Sequence, residues 1–284
     1  MIYSLPRIIY KINAMTESKQ VAVVIPFYKP TLTDHEMISL QQCHKVLANY
    51  PIIAIKPESL VLPAEAVDNP FYNTISFNDE YFKSIQGYNK LMLSAEFYEA
   101  FIQYEYILIY QLDAFVFKDE LSFWCEQGFD YIGAPWLRKK EYPNIFKKLT
   151  SIGLQYLARR YDIKRHGGLP SKKQLDDNVG NGGFSLRRVK LFRDLCLKYP
   201  EKIADYNSRY THHYNEDVFW SIELNRKRKV LNIPGYKKAL QFAFELEPGR
   251  AFRINNNQLP FGCHAWDLNI DYWQSVFKEL GYTI

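Results

Sequence analysis

The chain has 284 residues, 47% of them hydrophobic and 16% aromatic, with a formal net charge of +5 and a pI near 8.8. This length and apolar content can bury a full core and exclude a disordered chain, while the mild basicity speaks against a dedicated nucleic-acid binder. The 22 Tyr and 19 Phe suggest amphipathic aromatic surfaces of the kind that sugar or nucleobase sites use.

The four cysteines, Cys43, Cys125, Cys196 and Cys263, are scattered and form no CxxC pair, so they read as packed, reduced thiols of a cytosolic protein with no zinc site. The start, MIYSLPRIIYKINAM, lacks the continuous apolar core of a signal peptide, and no stretch reaches the ~20 apolar residues of a membrane span. A soluble cytoplasmic chain is expected, peripheral at most to the inner face of a membrane.

In chain order, Val21–Pro26 is a β-branched run that predicts a first parallel strand. Thr33 and Glu36 then form a capping box that opens a helix running to about Asn49. Pro51–Ile55 predicts a second strand. Leu91, Ala95, Phe97, Tyr98, Phe101 and Ile102 have helical spacing, which predicts one long helix before the next strand. That strand, Tyr104–Phe117, is the most apolar run in the chain and carries a single buried-side acid, Asp113. A carboxylate in such a run should meet water, a metal or a ligand, or cap the following turn. Alternating strands and helices of this kind argue for a mostly parallel α/β sheet covered by helices.

After Ile132–Pro135 the composition turns basic. Between Leu137 and Lys173 the acids are Glu141 and Asp162, against eleven Lys and Arg, so about 137–178 reads as an insertion into a single domain spanning 1–284. Its centre mixes apolar and basic residues at helical spacing, and 138–173 can either lie on an anionic membrane surface or form a solvated basic face. The regular pattern resumes at Gly182-Gly183-Phe184, with helices expected from about Val189, near Glu216, and over Tyr272–Phe277.

Four clusters could carry chemistry. Gln111-Leu112-Asp113 offers an oxygen ligand at a strand end, suited to Mg²⁺ or Mn²⁺, which bind with few protein carboxylates. Gly180-Asn181-Gly182-Gly183 allows close backbone approach to a ligand or a plain tight turn, and lacks the pattern of a P-loop or a dinucleotide site. Asn215-Glu216-Asp217 is either a dipole-favoured helix start or the source of a general base. Pro260-Phe261-Gly262-Cys263-His264-Ala265-Trp266 could supply an imidazole to a metal or phosphate, and Trp266 a face for a sugar ring or base.

Together, YILIYQLDAFVF (106–117), FDYIGAPW (129–136), VGNGGFSLR (179–187), NEDVFW (215–220) and PFGCHAW (260–266) resemble the GT-A glycosyltransferases. The chain is most similar to a bacterial and fungal GT-A-like family carried as a domain of unknown function. The resemblance implies a nucleotide-diphosphate sugar donor, with a UDP-sugar expected, and a glycan or glycolipid acceptor in cell-surface polysaccharide synthesis. It implies that Pro26 and Tyr28, at the end of the first strand, face the nucleotide, with Gln111 and Asp113 beside the diphosphate. Gly182 and Gly183 would line the donor sugar, with Lys90 and Trp266 also on the donor side. It further implies Asp113 and His264 as ligands of Mn²⁺ or Mg²⁺, Asp217 as catalytic base of an inverting transfer, and Glu216 as its support.

The chain departs from the D-x-D pattern, since Gln111 or Phe115 stands where a second acid would be. A metal-free site that neutralises the diphosphate with Lys90, Arg187 or insertion lysines is therefore the alternative. A sugar nucleotidyltransferase would carry a glycine- and basic-rich loop after the first strand, where this chain has Pro26-Phe27-Tyr28-Lys29-Pro30. A non-enzymatic carbohydrate- or nucleotide-binding protein is the remaining class.

Overall fold

The structure, a computed structural model, describes residues 19–66, 70–138 and 142–284. The expectations for MIYSLPRIIYKINAM, and for Lys139, Lys140 and Glu141 of the basic segment, lie outside the described residues.

The strands are β1 (Lys19–Pro26), β2 (Ile52–Pro57), β3 (Asn73–Phe77), β4 (Tyr104–Tyr110), β5 (Phe115–Val116), β6 (Tyr131–Gly133), β7 (Pro135–Trp136), β8 (Asn178–Val179), β9 (Phe184–Arg188), β10 (Ala243–Phe244) and β11 (Gly262–Cys263). The helices are α1 (Asp34–Val46), α2 (Ile85–Met92), α3 (Ala95–Glu99), α4 (Leu121–Glu126), α5 (Ile145–Tyr161), α6 (Val189–Lys198), α7 (Pro200–Asn207), α8 (Glu216–Val218), α9 (Tyr236–Phe242), α10 (Pro248–Ile254) and α11 (Ile270–Glu279). α8 is a single turn that runs directly into a π-helical segment, Phe219–Glu223.

Six strands form the main sheet in the order β3-β2-β1-β4-β9-β6. β1 through β4 run parallel, and β9 runs antiparallel to both its neighbours. β1, β4 and β9 are covered on both faces, which is why Val21–Ile25 and Tyr106–Tyr110 are continuously apolar rather than alternating. The chain leaves β1 toward β2 and β3 on one side and returns to β4 on the other. The carboxyl ends of β1 and β4 therefore flank a switch point, the position at which open α/β sheets bind ligands.

The capping box of α1 is present: Thr33 Oγ1 accepts from Glu36 N at 3.3 Å, and Thr33 N donates to the Glu36 carboxylate at 2.8 Å. Two expectations need correction. The single long helix before β4 is two, because Ser94 Oγ accepts from Phe97 N and starts α3 anew after α2 has ended at Met92. The run 104–117 is likewise two strands, separated by a turn in which Ala114 N donates to Gln111 O at 2.9 Å. Asp113 sits in that turn rather than inside a strand.

A second, three-stranded sheet of order β10-β11-β5 lies beside the first. It has its own aromatic core, in which Phe115 stacks on Phe277 of α11 at 4.1 Å between ring centroids, with Trp266 and Trp273 fully buried beside them. Segment 137–177 departs after β7 and returns to β8, the two strands pairing antiparallel at its base, and carries α5. Among the described residues no helix is long and apolar enough to cross a membrane.

Candidate active site

A cleft of about 610 Å³ opens at the switch point. Pro26 and Tyr28 from the end of β1, Gln111 from the end of β4, Asn181, Gly182 and Gly183 before β9, and Asn215, Glu216 and Asp217 at the start of α8 all line it. Glu245 and His264, from the ends of β10 and β11, complete one wall.

The small sheet assembles that wall. Cys263 pairs with Phe115, and His264 N donates to Phe244 O at 2.9 Å. Asp113, His264 and Glu245 each lie one or two residues beyond a paired position, so the ladder sets them in a row. His264 Nε2 stands 3.1 Å from Asp113 Oδ1 and 3.2 Å from Gln111 Oε1, while Nδ1 is 3.6 Å from Glu245 Oε1. Burial opposes charge on the imidazole, but the two flanking carboxylates outweigh it and push its pKa up to about 10. Burial likewise pulls the Asp113 pKa upward, and the His264 pair overcomes it and holds the carboxyl below its usual value.

Asn181 ties this wall to the glycine turn. Its Oδ1 accepts from Gly183 N and Phe184 N at 3.0 and 3.1 Å, which fixes the direction of its amide nitrogen. That nitrogen donates to Glu245 Oε1 at 2.6 Å and lies 2.9 Å from His264 Nδ1. The left-handed residue of the turn is Asn181 itself, with φ of 55°, so the glycines serve close approach instead. A Cβ on Gly182 would stand 1.9 Å from Glu216 Oε1, and one on Gly183 would stand 2.0 Å from His264 Nε2.

Glu216, though it borders the cleft, is nearly buried and its carboxylate is engaged by the core. Arg187 of β9, fully buried, donates through Nη2 to Glu216 Oε1 at 2.9 Å and to Gly182 O at 3.2 Å. Its Nη1 donates to Tyr98 Oη and its Nε to Ser185 Oγ. Glu216 N in turn donates to Asn89 Oδ1 at 3.2 Å. Asp217 is held at the cleft by this anchorage. Burial chiefly, then the charges of Glu216 and Glu245, push its pKa up to about 7, the value that suits a base working near neutral pH.

The structure thus brings Asp113, Gln111, Pro26, Tyr28, Gly182, Gly183, Glu216, Asp217 and His264 to one place. Three expectations are corrected. Trp266 is fully buried, its indole N–H donating to Ser39 Oγ at 3.0 Å, and it offers no face to a ligand. Aromatic surface at the cleft comes from Tyr28, Phe82 and Tyr88. Lys90 points to solvent on α2 and is not among the cleft residues. Arg187 is consumed by Glu216, so the basic side chains lining the cleft are His264 and Lys83. Sequence reasoning missed Asn181, Glu245 and Lys83. Asn181 lay inside a motif already singled out, while Glu245 follows a two-residue strand that leaves no periodic signal.

The donor set can be tested against a hard divalent cation. Asp113 and His264 are close enough to share one ion, with the Gln111 amide oxygen alongside, and oxygen-rich sets of this kind suit Mn²⁺ or Mg²⁺. Glu245 flanks the other ring nitrogen, and among the described residues no three His, Cys, Asp or Glu converge on one point. The pair fits an ion whose remaining positions are filled by phosphate oxygens and water.

Residues 71–264 match the profile of a family described as a protein of unknown function (DUF5672), and the chain belongs to that family. No curated protein matches in sequence. Core-mannan synthase A from Aspergillus fumigatus, in its Mn/GDP form, is similar in structure with a TM-score of 0.51 and 12% identity, over 79% of this chain and 74% of that one. The galactosyltransferase LgtC, in complex with donor and acceptor sugar analogues, gives a TM-score of 0.50 and 13% identity over 86% of each chain. At such identities the likeness is one of fold, and the fold is that of the GT-A glycosyltransferases.

Two outcomes follow from this geometry. Arg187→Met leaves Glu216 buried without its partner and should cost about 3–5 kcal/mol in urea unfolding. Asp217 has a higher proton affinity in the fold than its ordinary value of 3.8, so its ionisation between about pH 4 and 7 lowers stability as pH rises. Asp217→Asn should therefore match the parent protein near pH 4 and exceed it by a few kcal/mol above pH 7, at about 1.4 kcal/mol per pK unit, read as a rise in Tm.

Proposed function

We propose that this member of the DUF5672 family transfers a sugar from a nucleotide-diphosphate sugar to a hydroxyl of a glycan or glycolipid acceptor. The observation that carries the reading is that Asp217 lines the same cleft as His264, whose Nε2 stands 3.1 Å from Asp113 Oδ1, with burial raising the proton affinity of the Asp217 carboxylate. A base and a diphosphate-facing pair in one cleft are what direct displacement at an anomeric carbon needs.

In this reading Asp217 takes the proton of the acceptor hydroxyl as its oxygen attacks the anomeric carbon, and the nucleotide diphosphate departs on the opposite face, with inversion. Glu216, locked by Arg187, holds the helix start that aims Asp217. Pro26 and Tyr28 meet the nucleotide, and Gly182 and Gly183 admit the donor sugar where any side chain would strike Glu216 or His264. Asp113 and His264 would hold Mn²⁺ or Mg²⁺, which supplies charge stabilisation to the departing diphosphate when bound. The balance of charge supports that ion, because an entering diphosphate meets Glu245 and ionised Asp217 in the cleft, with Asp113 beside His264 and with Lys83 already paired to Glu80. To hold the ion, the His264 imidazole would give up its proton. UDP-sugars are the donors of choice within this class. Assembly of cell-surface polysaccharide at the cytoplasmic face of a membrane is the setting proposed.

Nucleotide release from a panel of UDP-, GDP- and CMP-sugars, with and without Mn²⁺, tests the reading. Silence of a folded protein toward every donor, with donor binding retained, would favour the non-enzymatic binding class. Asp217→Asn should lower the transfer rate about 10²–10⁴-fold and leave donor affinity nearly unchanged, and the parent rate should fall as pH drops below about 7. Asp113→Ala should weaken donor binding and abolish the response to Mn²⁺. An unchanged donor affinity would remove Asp113 from the site.

A further inference from the structure

α5 is built inside out. Its inward side is small and polar: Ser151 and Ala158 are buried, Ser151 hydrogen-bonds Tyr142, and Gln155 bonds Arg138 and Asp176. Its outward side is apolar. Ile145, Leu149, Ile152 and Tyr156 recur at spacings of four, three and four, which stacks them in one line along the helix. They are 59%, 57%, 42% and 53% exposed, and Phe146 beside them is 76% exposed. A surface helix normally shows the reverse arrangement, and an exposed apolar stripe of this extent marks an interaction surface.

The charges beside the stripe identify the partner. α5 contains Lys147, Lys148, Arg159 and Arg160 and no acid. Arg159 and Arg160 bond neutral oxygens, those of Asn178, Arg226 and Lys227, so their charge is not cancelled there. Under the amino-terminal half of the helix lies a cavity of about 630 Å³, apart from the active-site cleft, lined by Arg138, Lys148 and Arg250 together with Ile145 and Ile152. Arg138 is 8% exposed and pairs through Nε with Asp177, which also lines the cavity, and Arg250 pairs with Glu247. Nη1 of Arg138 is left without a hydrogen-bond acceptor and is the donor free to meet an anion. An apolar stripe edged by cations, with a basic cavity opening beside it, is complementary to the surface of an anionic bilayer.

We infer that α5 docks the protein on an anionic lipid surface, the line from Ile145 to Tyr156 entering the bilayer interface while Arg138, Lys148 and Arg250 receive a phosphate headgroup. The inference stands independently of the sugar-transfer reading, since it uses no residue of the active-site cleft. It deepens that reading in one respect: a docked enzyme would meet an acceptor carried by the membrane.

The test is sedimentation of the full chain with vesicles of phosphatidylcholine alone, or with roughly one third phosphatidylglycerol. Retention on the anionic vesicles is expected, well above that on neutral ones and weakened by added salt. The double variant Phe146→Ser, Leu149→Ser should lose about tenfold in retention, and Lys148→Glu should lose about tenfold on anionic vesicles only. All three side chains are exposed, so unchanged thermal unfolding should accompany the loss and exclude misfolding. Equal retention on both vesicle types, no retention on either, or variants retained like the parent would overturn the inference. So would a parent dimer in light scattering that the double variant converts to monomer without any vesicle binding, which would give the stripe to a second copy of the chain.

Discussion

The buried pair of Arg187 and Glu216 is the interaction on which the site depends. Arg187 emerges from β9 into the core and distributes its N–H groups over Glu216, the carbonyl of Gly182, Tyr98 and Ser185. One guanidinium thereby joins a sheet strand, the glycine turn, α3 and the start of α8. Its planar fork suits this, because a lysine in its place could not reach four acceptors in fixed directions. Replacing the pair with apolar groups would be energetically reasonable for a core alone. What the pair adds is placement, since Glu216 fixed from within leaves its neighbour Asp217 facing the cleft.

The second determinant is the small sheet. Three strands of two residues each would not persist alone, and here they rest on the stacked aromatics of Phe115, Phe277, Trp266 and Trp273. The same packing takes Trp266 out of contact with ligand and sets Asp113, His264 and Glu245 side by side. An aromatic residue next to a functional histidine is thus part of the support of the site. The carboxylates then act on the imidazole from both sides, and the charged form of His264 is as much a product of this ladder as its position is.

Much of this was legible in the sequence for physical reasons that differ by element. β1 and β4 announced themselves because strands covered on both faces are continuously apolar, and α1 because Thr33 and Glu36 satisfy each other's backbone. Asp113, Asp217 and His264 stood out as polar groups in surroundings that would not tolerate them idly, and Asp217 and His264 line one cleft, with Asp113 in contact with His264. β3 was missed because it is an edge strand with mostly exposed residues, Asn73–Phe77, and carries no apolar run. β5, β10 and β11 are too short to show any period, which hid Glu245. The break at Ser94 yielded to the apolar spacing on either side of it, since a single cap residue is a weaker signal than a helical stripe. Nor does a sequence tell which aromatic is core and which is surface: Tyr28 and Trp266 both read as ligand-facing, and only Tyr28 reaches the cleft while Trp266 is buried.

Asn181 has a mechanical consequence. Its side chain clamps the glycine turn through two backbone N–H groups and reaches the wall of His264 and Glu245 through its amide nitrogen. Turn and wall are consequently one stiff body, and the conformational freedom of the groups in it is surrendered when the chain folds, not when a ligand arrives. The opposite rim, Lys83, Ser84 and Ile85, is exposed and tied mainly by the cap of α2. The two sides of the cleft therefore differ in construction: one is cross-linked by side-chain hydrogen bonds that keep the distances among its polar groups constant, and the other is the exposed start of a helix.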